Sequence, residues 1–407
     1  MTKKVLILTY WGYKETLISN FTIPYIQSLH QVNPKMNMFL FTLNKKHQSM
    51  SSTDIENANK KLSKFKTQLL AFNYSRFGIK AILKMVFLIW KLIRIIKKEK
   101  ITHIHAFCSP AGAIGYLLKL FSNVILVLDS YEPHAESMVE SGQWKPNGLA
   151  FKLLFFLEKQ QTKKADFVIS LTEEMYQYAK KKYGIQIQNF YIKPSCIDVN
   201  KFKNPDYIKN AAYINKLKLK NKIIGLYAGK FGGLYLEDEI FDIIKVAYNK
   251  WKDTFHMIIL GGIDEKYLNK KAAERGIPGN VITKEFVSAE ELAYYMGLAD
   301  FALTPVKPTP SKRYCSPIKN GEYWVLGLPV IITKGISDDS DIIKSKNIGY
   351  VLKDLTEKEY NNALNWLDTF IKKENILELK KGITEFGIYN RSMERAESVY
   401  KKIYSIE

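Results

Sequence analysis

Ten short apolar runs, each followed by a stretch long enough for a helix, constrain this 407-residue chain more than any other feature. The first five are Val5–Thr9, Met38–Thr42, Ile101–Phe107, Val124–Asp129 and Phe167–Leu171. The second five are Ile223–Ala228, His256–Gly261, Asn280–Ile282, Phe301–Thr304 and Pro329–Thr333. Runs of about four to eight residues that are apolar throughout belong to strands covered on both faces. Helix-length spacers between them imply βαβ crossovers and parallel sheets. The rhythm occurs twice, so the expected fold is α/β with two Rossmann-like, doubly wound domains. The chain is 46% hydrophobic, which is enough to give each half a core. The expected division is a first domain over 1–200, a Lys- and Asn-rich linker over 201–221, a second domain over 222–387, and a terminal amphipathic helix over 388–407. Ligands of doubly wound sheets bind at the carboxyl ends of the strands, so the two domains are expected to face a central cleft.

The charge narrows the partners. A net +21 would point to nucleic acid or an anionic membrane, but only six of the 61 basic residues are arginines. Groove readers favour the arginine fork. There is no unbroken basic block, zinc-ligand spacing or RNP-like aromatic pair, so nucleic acid is not an expected partner. Cys108, Cys196 and Cys315 are odd in number and far apart, which argues for a reduced compartment, the cytoplasm, and against structural zinc or a disulfide framework. The sequence after Met1 offers no long apolar core or small-residue cleavage site of a signal peptide. The longest wholly apolar stretch near residue 87, Met85 to Trp90, is far short of the ~20 residues that span a bilayer.

Residues 312–330 carry the sharpest local pattern. Lys319 and Glu322 stand three apart before a Gly-Leu-Pro turn into the apolar run from Val330. If Ser316 and Pro317 open a helix, its first amides at Ile318 and Lys319, with the Lys319 ammonium, would face a diphosphate. Glu322, one turn on, would accept the hydroxyls of a ribose. The bland alternative is a capped helix packed before a buried strand. A second element, Leu226-Tyr-Ala-Gly-Lys-Phe-Gly-Gly233, ends the first strand of the second half. Gly229, Gly232 and Gly233 would let backbone amides approach a phosphate, and Lys230 would supply the counter-charge.

These segments resemble the donor-binding elements of family 4 glycosyltransferases, the glycosyl transferases group 1, which have the GT-B fold. The resemblance covers most of the chain and is strongest over 223–350. It implies a retaining transfer from a nucleoside-diphosphate sugar without a resident cofactor. It also places the nucleotide base beside Gly261, Phe286 and Val287, and the acceptor beside Tyr10, Trp11, Gly12, Tyr13 and His105. Two departures from the family stand out. No second lysine follows Lys230 within residues 231–239, and Cys315 occupies the place of the first of two glutamates spaced seven apart. Lys319 is the candidate replacement for the lysine.

In the first half, Asp129, Glu132 and His134 follow an apolar strand, and with Glu136 they concentrate acid-base groups at its carboxyl end. They are the catalytic candidates, against the alternative of a solvated acidic loop. His103 and His105 are assigned to opposite faces of their strand, which argues against a shared metal, and no metal site is expected. Segment 79–98 projects as a helix with Lys80, Lys84, Lys91 and Lys98 in one stripe, Arg94 beside it, and an apolar surface broader than one sheet needs. An anionic membrane would take that surface.

The expected function is therefore hexosyl transfer from a UDP- or GDP-linked sugar to a saccharide hydroxyl. The acceptor class is expected to be lipid-linked, in surface-polysaccharide or glycan assembly, with the enzyme cytoplasmic or peripheral on the inner face of the membrane. Metal-independent chemistry would follow if cations and amides carry the diphosphate charge, and no Asp-x-Asp element is present to hold a metal. The competing readings are a sugar-nucleotide epimerase of related fold and a non-catalytic nucleotide-sugar scaffold.

Overall fold

The computed structural model describes residues 3–74 and 79–405, without the side chains of residues 79–82. Lys80 of the expected basic stripe and the last two residues of the expected terminal helix therefore lie outside the described residues. The chain divides into two compact units, residues 1–194 with 393–407, and residues 195–392.

Unit 1 is built on β1 (Lys4–Leu8), β2 (Asn37–Asn44), β3 (Thr67–Asn73), β4 (His103–Phe107), β5 (Ile125–Tyr131), β6 (Phe167–Ser170) and β7 (Phe190–Ile192). They form one parallel sheet in the order β3-β2-β1-β4-β5-β6-β7, so the winding reverses between β1 and β4. Its helices are α1 (Ile23–Val32), α2 (Ser52–Leu62), α3 (Ile79–Glu99), α4 (Ser109–Leu120), α5 (His134–Glu140), α6 (Leu149–Lys164) and α7 (Glu174–Tyr178).

Unit 2 repeats the plan. Its strands are β8 (Ile223–Ala228), β9 (Phe255–Leu260), β10 (Ile282–Glu285), β11 (Phe301–Thr304), β12 (Val330–Thr333) and β13 (Gly349–Leu352). They are parallel and ordered β10-β9-β8-β11-β12-β13. Its helices are α8 (Ala211–Lys216), α9 (Asp238–Trp251), α10 (Glu265–Glu274), α11 (Leu292–Gly297), α12 (Ile318–Val325), α13 (Asp339–Lys346), α14 (Glu357–Ile371) and α15 (Ile376–Arg391). The last helix, α16 (Met393–Tyr404), belongs to unit 1 and lies along α1.

Successive side chains of a strand point to opposite faces, and unit 2 shows it directly. Ile224, Leu226 and Ala228 join a core with α11, α12 and α15, while Tyr227 joins a second core with α9 and α14. The sheet is covered on both sides, which is why its strands read as continuous apolar runs.

Several expectations change. β3, β7 and β13 are absent from the expected strands, and all three are sheet edges, where one flank is open and the apolar signal is weak. The strand expected at 280–282 runs over Ile282–Glu285. The expected linker packs on unit 2. Phe202 and Leu219 are buried in unit 2 with Tyr207, Tyr213 and Ile214 against the same core. The expected helix over 388–407 is interrupted at Ser392, whose extended backbone pairs with Ile197. The amphipathic pattern runs across that break unmarked.

One helix is inverted. The buried residues of α6 are Glu158, Gln161 and Thr162, whereas Leu149, Leu153 and Phe156 are 83%, 48% and 54% exposed. On α3, Leu83, Val86, Phe87 and Trp90 are also exposed. No helix among the described residues is long and apolar enough to cross a membrane.

Candidate functional site

In unit 2 the expected donor residues gather at the carboxyl ends of β8, β9 and β11. Gly229 N–H donates to the Leu260 carbonyl at 3.0 Å, and Gly261 N–H to the Glu285 carbonyl at 3.1 Å. A Cβ on Gly261 would lie 2.2 Å from the Gly229 carbonyl oxygen, so these strand ends meet only because residue 261 is glycine. The loop then turns through Gly232 and Gly233 at φ +74° and +64°, conformations that side chains disfavour. Tyr227 O–H donates to the Lys230 carbonyl and fixes the turn from below, leaving the Lys230 side chain exposed. The loop is also tied to the segment after β11. Leu236 N–H donates to the Pro305 carbonyl at 2.8 Å, and Lys307 N–H to the Leu234 carbonyl at 3.0 Å.

Beside the loop lies a recess of about 530 Å³ lined by Lys230, Phe231, Glu237, Gly262, Ile263, Asp264, Tyr267 and Phe286. Phe286 is exposed at its mouth, whereas Val287 packs on the core.

Helix α12 begins at Ile318, with Pro317 as its flanking residue, so the helix opens one to two residues later than expected. Ile318 packs against the core, and Lys319 reaches Glu322 with Nζ 2.6 Å from Oε2. Glu322 is largely buried and Lys319 partly exposed. The neighbouring Tyr323 is enclosed and its hydroxyl accepts the Ala228 N–H at 3.0 Å, which pins α12 to the end of β8.

Ser316 departs from expectation. Its hydroxyl is engaged by Arg391 Nη1 at 2.5 Å and by the Ser195 N–H at 3.0 Å, and its carbonyl by the Ser195 hydroxyl at 2.9 Å. A hydroxyl so occupied is part of the scaffold and does not reach a ligand. Arg391 is fully enclosed, lies 5.1 Å over the Trp324 ring, and pairs with Asp339. Asp339 in turn accepts from Asn320 Nδ2 at 2.7 Å. Burial pushes the Asp339 carboxyl up, against the pull of Arg391. Gly321 leaves room for this guanidinium stem, since a Cβ there would meet Arg391 Cγ at 3.0 Å. Sequence reasoning missed Arg391, Asp339 and Asn320. Their only signal is a charged or amide side chain inside otherwise amphipathic helices.

In unit 1, β5 carries a bulge. Ser130 has φ +52°, and the register against β6 shifts between Leu128 and Tyr131. In a regular strand residues 129 and 131 would share a face. Here Asp129 meets α16 on one side and Tyr131 meets α6 on the other.

The expectation that Asp129 reaches a cleft is corrected. Its carboxylate is fully enclosed and bonded to Tyr400 O–H at 2.7 Å and His105 Nε2 at 3.0 Å, with the enclosed Lys193 ammonium at 3.1 Å. Burial alone would raise its pKa, but Lys193 and His105 hold it well below the carboxylate range. His105 is corrected likewise. It has no exposure, and its other nitrogen lies 2.9 Å from the Tyr404 hydroxyl. His103 shares its face, as residues two apart on a strand must, and both rings lie against Tyr404. Burial, with Lys3 nearby, pushes His103 down to about 4. This cluster anchors α16 to the sheet.

Glu132 and His134 stay partly exposed at the start of α5, with Nδ1 3.8 Å from Oε1. In the first loop, Gly12 N–H donates to Glu15 Oε1 at 3.1 Å and Tyr13 N–H to Asn44 Oδ1 at 2.8 Å. Tyr10 is exposed and edge-on to Tyr74 at 5.9 Å, and Trp11 packs on Phe21 at 6.0 Å. Among the described residues no group of three or more His, Cys, Asp or Glu side chains is arranged to hold a metal.

Known proteins bear on this geometry in three ways. Residues 204–377 match the family described as glycosyl transferases group 1. No curated protein sequence matches the chain at a significant level. Solved structures of similar fold include a glycosyltransferase from Rickettsia africae, 14% identical with a TM-score of 0.71 over 99% of this chain and 98% of that one. A sucrose-phosphate synthase from Thermosynechococcus elongatus is 13% identical with a TM-score of 0.71 over 99% and 98%. HepE of Anabaena in complex with UDP-glucose is 13% identical with a TM-score of 0.70 over 99% and 100%. The donor-site elements of unit 2 thus lie inside a segment, residues 204–377, that matches the group 1 glycosyltransferase family, in a chain of GT-B fold.

Proposed function

We propose that this protein transfers a hexosyl group from a UDP- or GDP-linked sugar to a hydroxyl of a saccharide acceptor, with retention of configuration. The observation that carries the reading is the Lys319–Glu322 pair at the start of α12, in the matched domain and on a helix pinned to the end of β8, whose following loop bears Lys230. Negative charge grows on the departing diphosphate, where Lys230, Lys319 and the first amides of α12, at Ile318 and Lys319, would stabilise it. Gly229, Gly232 and Gly233 admit the phosphates to the backbone, Glu322 takes the ribose, and the base lies by Gly261, Phe286 and Val287. His134 and Glu132 act on the acceptor hydroxyl proton. Tyr10, Trp11, Gly12 and Tyr13 border the acceptor. Asp129 and His105 support the scaffold. These groups need neither a resident cofactor nor a metal for the charge work assigned to them.

The acceptor is lipid-linked in this reading, and the protein works peripherally on an anionic membrane face in the cytoplasm. The support is a basic and apolar surface. Phe87 and Trp90 stack at 5.8 Å under Lys91 and Arg94 on α3, and the exposed apolar side of α6 lies on the same unit.

The test is calorimetric titration with UDP, GDP and their common sugar conjugates, followed by product analysis with an acceptor panel. Micromolar binding of one nucleotide and a glycosylated product support the reading. Conversion of the sugar without an acceptor points to epimerisation, and absence of nucleotide binding overturns both.

A further inference from the structure

The segment joining β5 to α5 is held by the inverted helix. Glu158, Gln161 and Thr162 lie at i, i+3 and i+4, so they share one face of α6, and Glu158 and Gln161 have no solvent exposure. The Tyr131 hydroxyl lies 3.0 Å from the Glu158 carbonyl oxygen and 2.6 Å from Thr162 Oγ1. Gln161 Nε2 donates to the Ser109 carbonyl at 3.1 Å, and the Ser109 hydroxyl donates to the carbonyl of Glu132.

The Glu158 carboxyl completes the set. Ala135 N–H donates to Oε1 at 3.0 Å and Tyr183 O–H donates to Oε2 at 3.1 Å, while the His134 N–H donates to the Glu132 carbonyl at 2.9 Å. The main chain just after His134 is thus held by the enclosed Glu158 carboxyl, and the main chain before it by the Ser109 hydroxyl on the Glu132 carbonyl.

We propose that Glu158 is a positioning residue for the Glu132–His134 pair, whose carboxyl group clamps the start of α5 and, on losing its proton, tightens that clamp and shifts the imidazole. The proposal rests on the role given to His134 above. An ionised carboxylate accepts N–H donors more strongly than a neutral acid, so the two protonation states hold α5 differently. Burial pushes Glu158 up to about 8, opposed by the Ala135 and Tyr183 donors and reinforced by Glu136. The titratable groups facing it are Tyr131 from β5, His134 and Glu136 from α5, Tyr178 from α7 and Tyr183 just beyond it. Glu136 is paired with Lys182 at 3.3 Å.

The experiment is a pH titration of the full chain labelled with 13C at histidine Cε1, with His134 assigned by its loss in His134→Gln. The wild-type His134 signal is expected to show an inflection near pH 8, and Glu158→Gln to lack it. An inflection missing from the wild type, or retained in Glu158→Gln, overturns the proposal. Tyr183→Phe removes one donor to the carboxylate and is expected to move the inflection to higher pH, which keeps the test decisive if the Gln variant does not fold. An unmoved inflection in Tyr183→Phe counts against the clamp. In transfer assays Glu158→Gln is expected to lose the change in kcat near pH 8 while donor Kd stays within about twofold. If no transfer is found with any donor, the glycosyltransferase reading fails and the histidine titration still decides the role of Glu158.

Discussion

Lys319 and Glu322 are bonded to each other across one turn of α12, at 2.6 Å, which leaves the ammonium two further donors and the carboxylate its Oε1. In the proposed donor complex the ammonium turns to a diphosphate and the carboxylate to a ribose. Glu322→Ala is expected to weaken nucleotide binding by about 10- to 100-fold, the range of a hydrogen bond to a charged group. Calorimetry checks this, and unchanged affinity would remove the ribose role. Lys230→Ala should weaken nucleoside diphosphates more than the free nucleoside, since its charge is aimed at phosphate.

His134 sits on the other unit from those residues, so the two activities separate. His134→Ala is expected to lower kcat by about 10²- to 10⁴-fold, as for a lost general acid or base, and to leave donor Kd nearly unchanged. Wild-type turnover in this variant would exclude the imidazole from the reaction.

Asp129 and Lys193 form an ion pair with no exposed atom on either side chain, at 3.1 Å. Removing one partner of such a pair strands a charge in the core. Lys193→Met is expected to destabilise the chain by about 3–5 kcal/mol in chemical denaturation. Because α16 is anchored by the same carboxylate through Tyr400, amide exchange should rise first in α16.

Glu158 makes stability depend on pH in a stated direction. Its folded pKa, about 8, is raised above the ordinary 4.5, so the unfolded chain loses the proton first. The stabilising contribution is fully present below about pH 4.5 and is lost as pH rises through about 8. Denaturation series should show stability falling across that window by about 5 kcal/mol at most, and Glu158→Gln should flatten the slope.

The α3 surface predicts a lipid preference. Wild-type protein is expected to float with anionic vesicles and not with neutral ones. Lys91→Glu with Arg94→Glu should abolish flotation, since each basic residue near the surface contributes ~1 kcal/mol. Equal recovery of wild type and variant would sink membrane docking through this helix.

Much of the fold was legible because buried parallel strands leave uninterrupted apolar runs, as in Val5–Leu8 and Phe255–Leu260. Edge strands such as β3 and β7 escaped because half their surroundings are not core. At the site, the glycines after β8 and the Lys319–Glu322 spacing were visible, since short local geometry fixes both. The partners that hold them were not. Arg391 meets Ser316 and Asp339 only through tertiary folding, and no local pattern marks a residue 75 positions away as its ligand. Asp129 misled for a related reason. A strand-end carboxylate reads as accessible, yet the bulge at Ser130 turns it inward to a helix from the far end of the chain.

Helix α6 turns its charged and amide side chains inward and leaves leucine and phenylalanine to the outside. Such a helix has two readers. Its inner face grips the backbone at Ala135, beside His134, and its outer face leaves Leu149, Leu153 and Phe156 exposed. Only the thickness of a single helix, ~10 Å, separates the two. In the reading proposed above, a load on the outer face of α6 would therefore reach the backbone beside His134 through the Glu158 carboxyl.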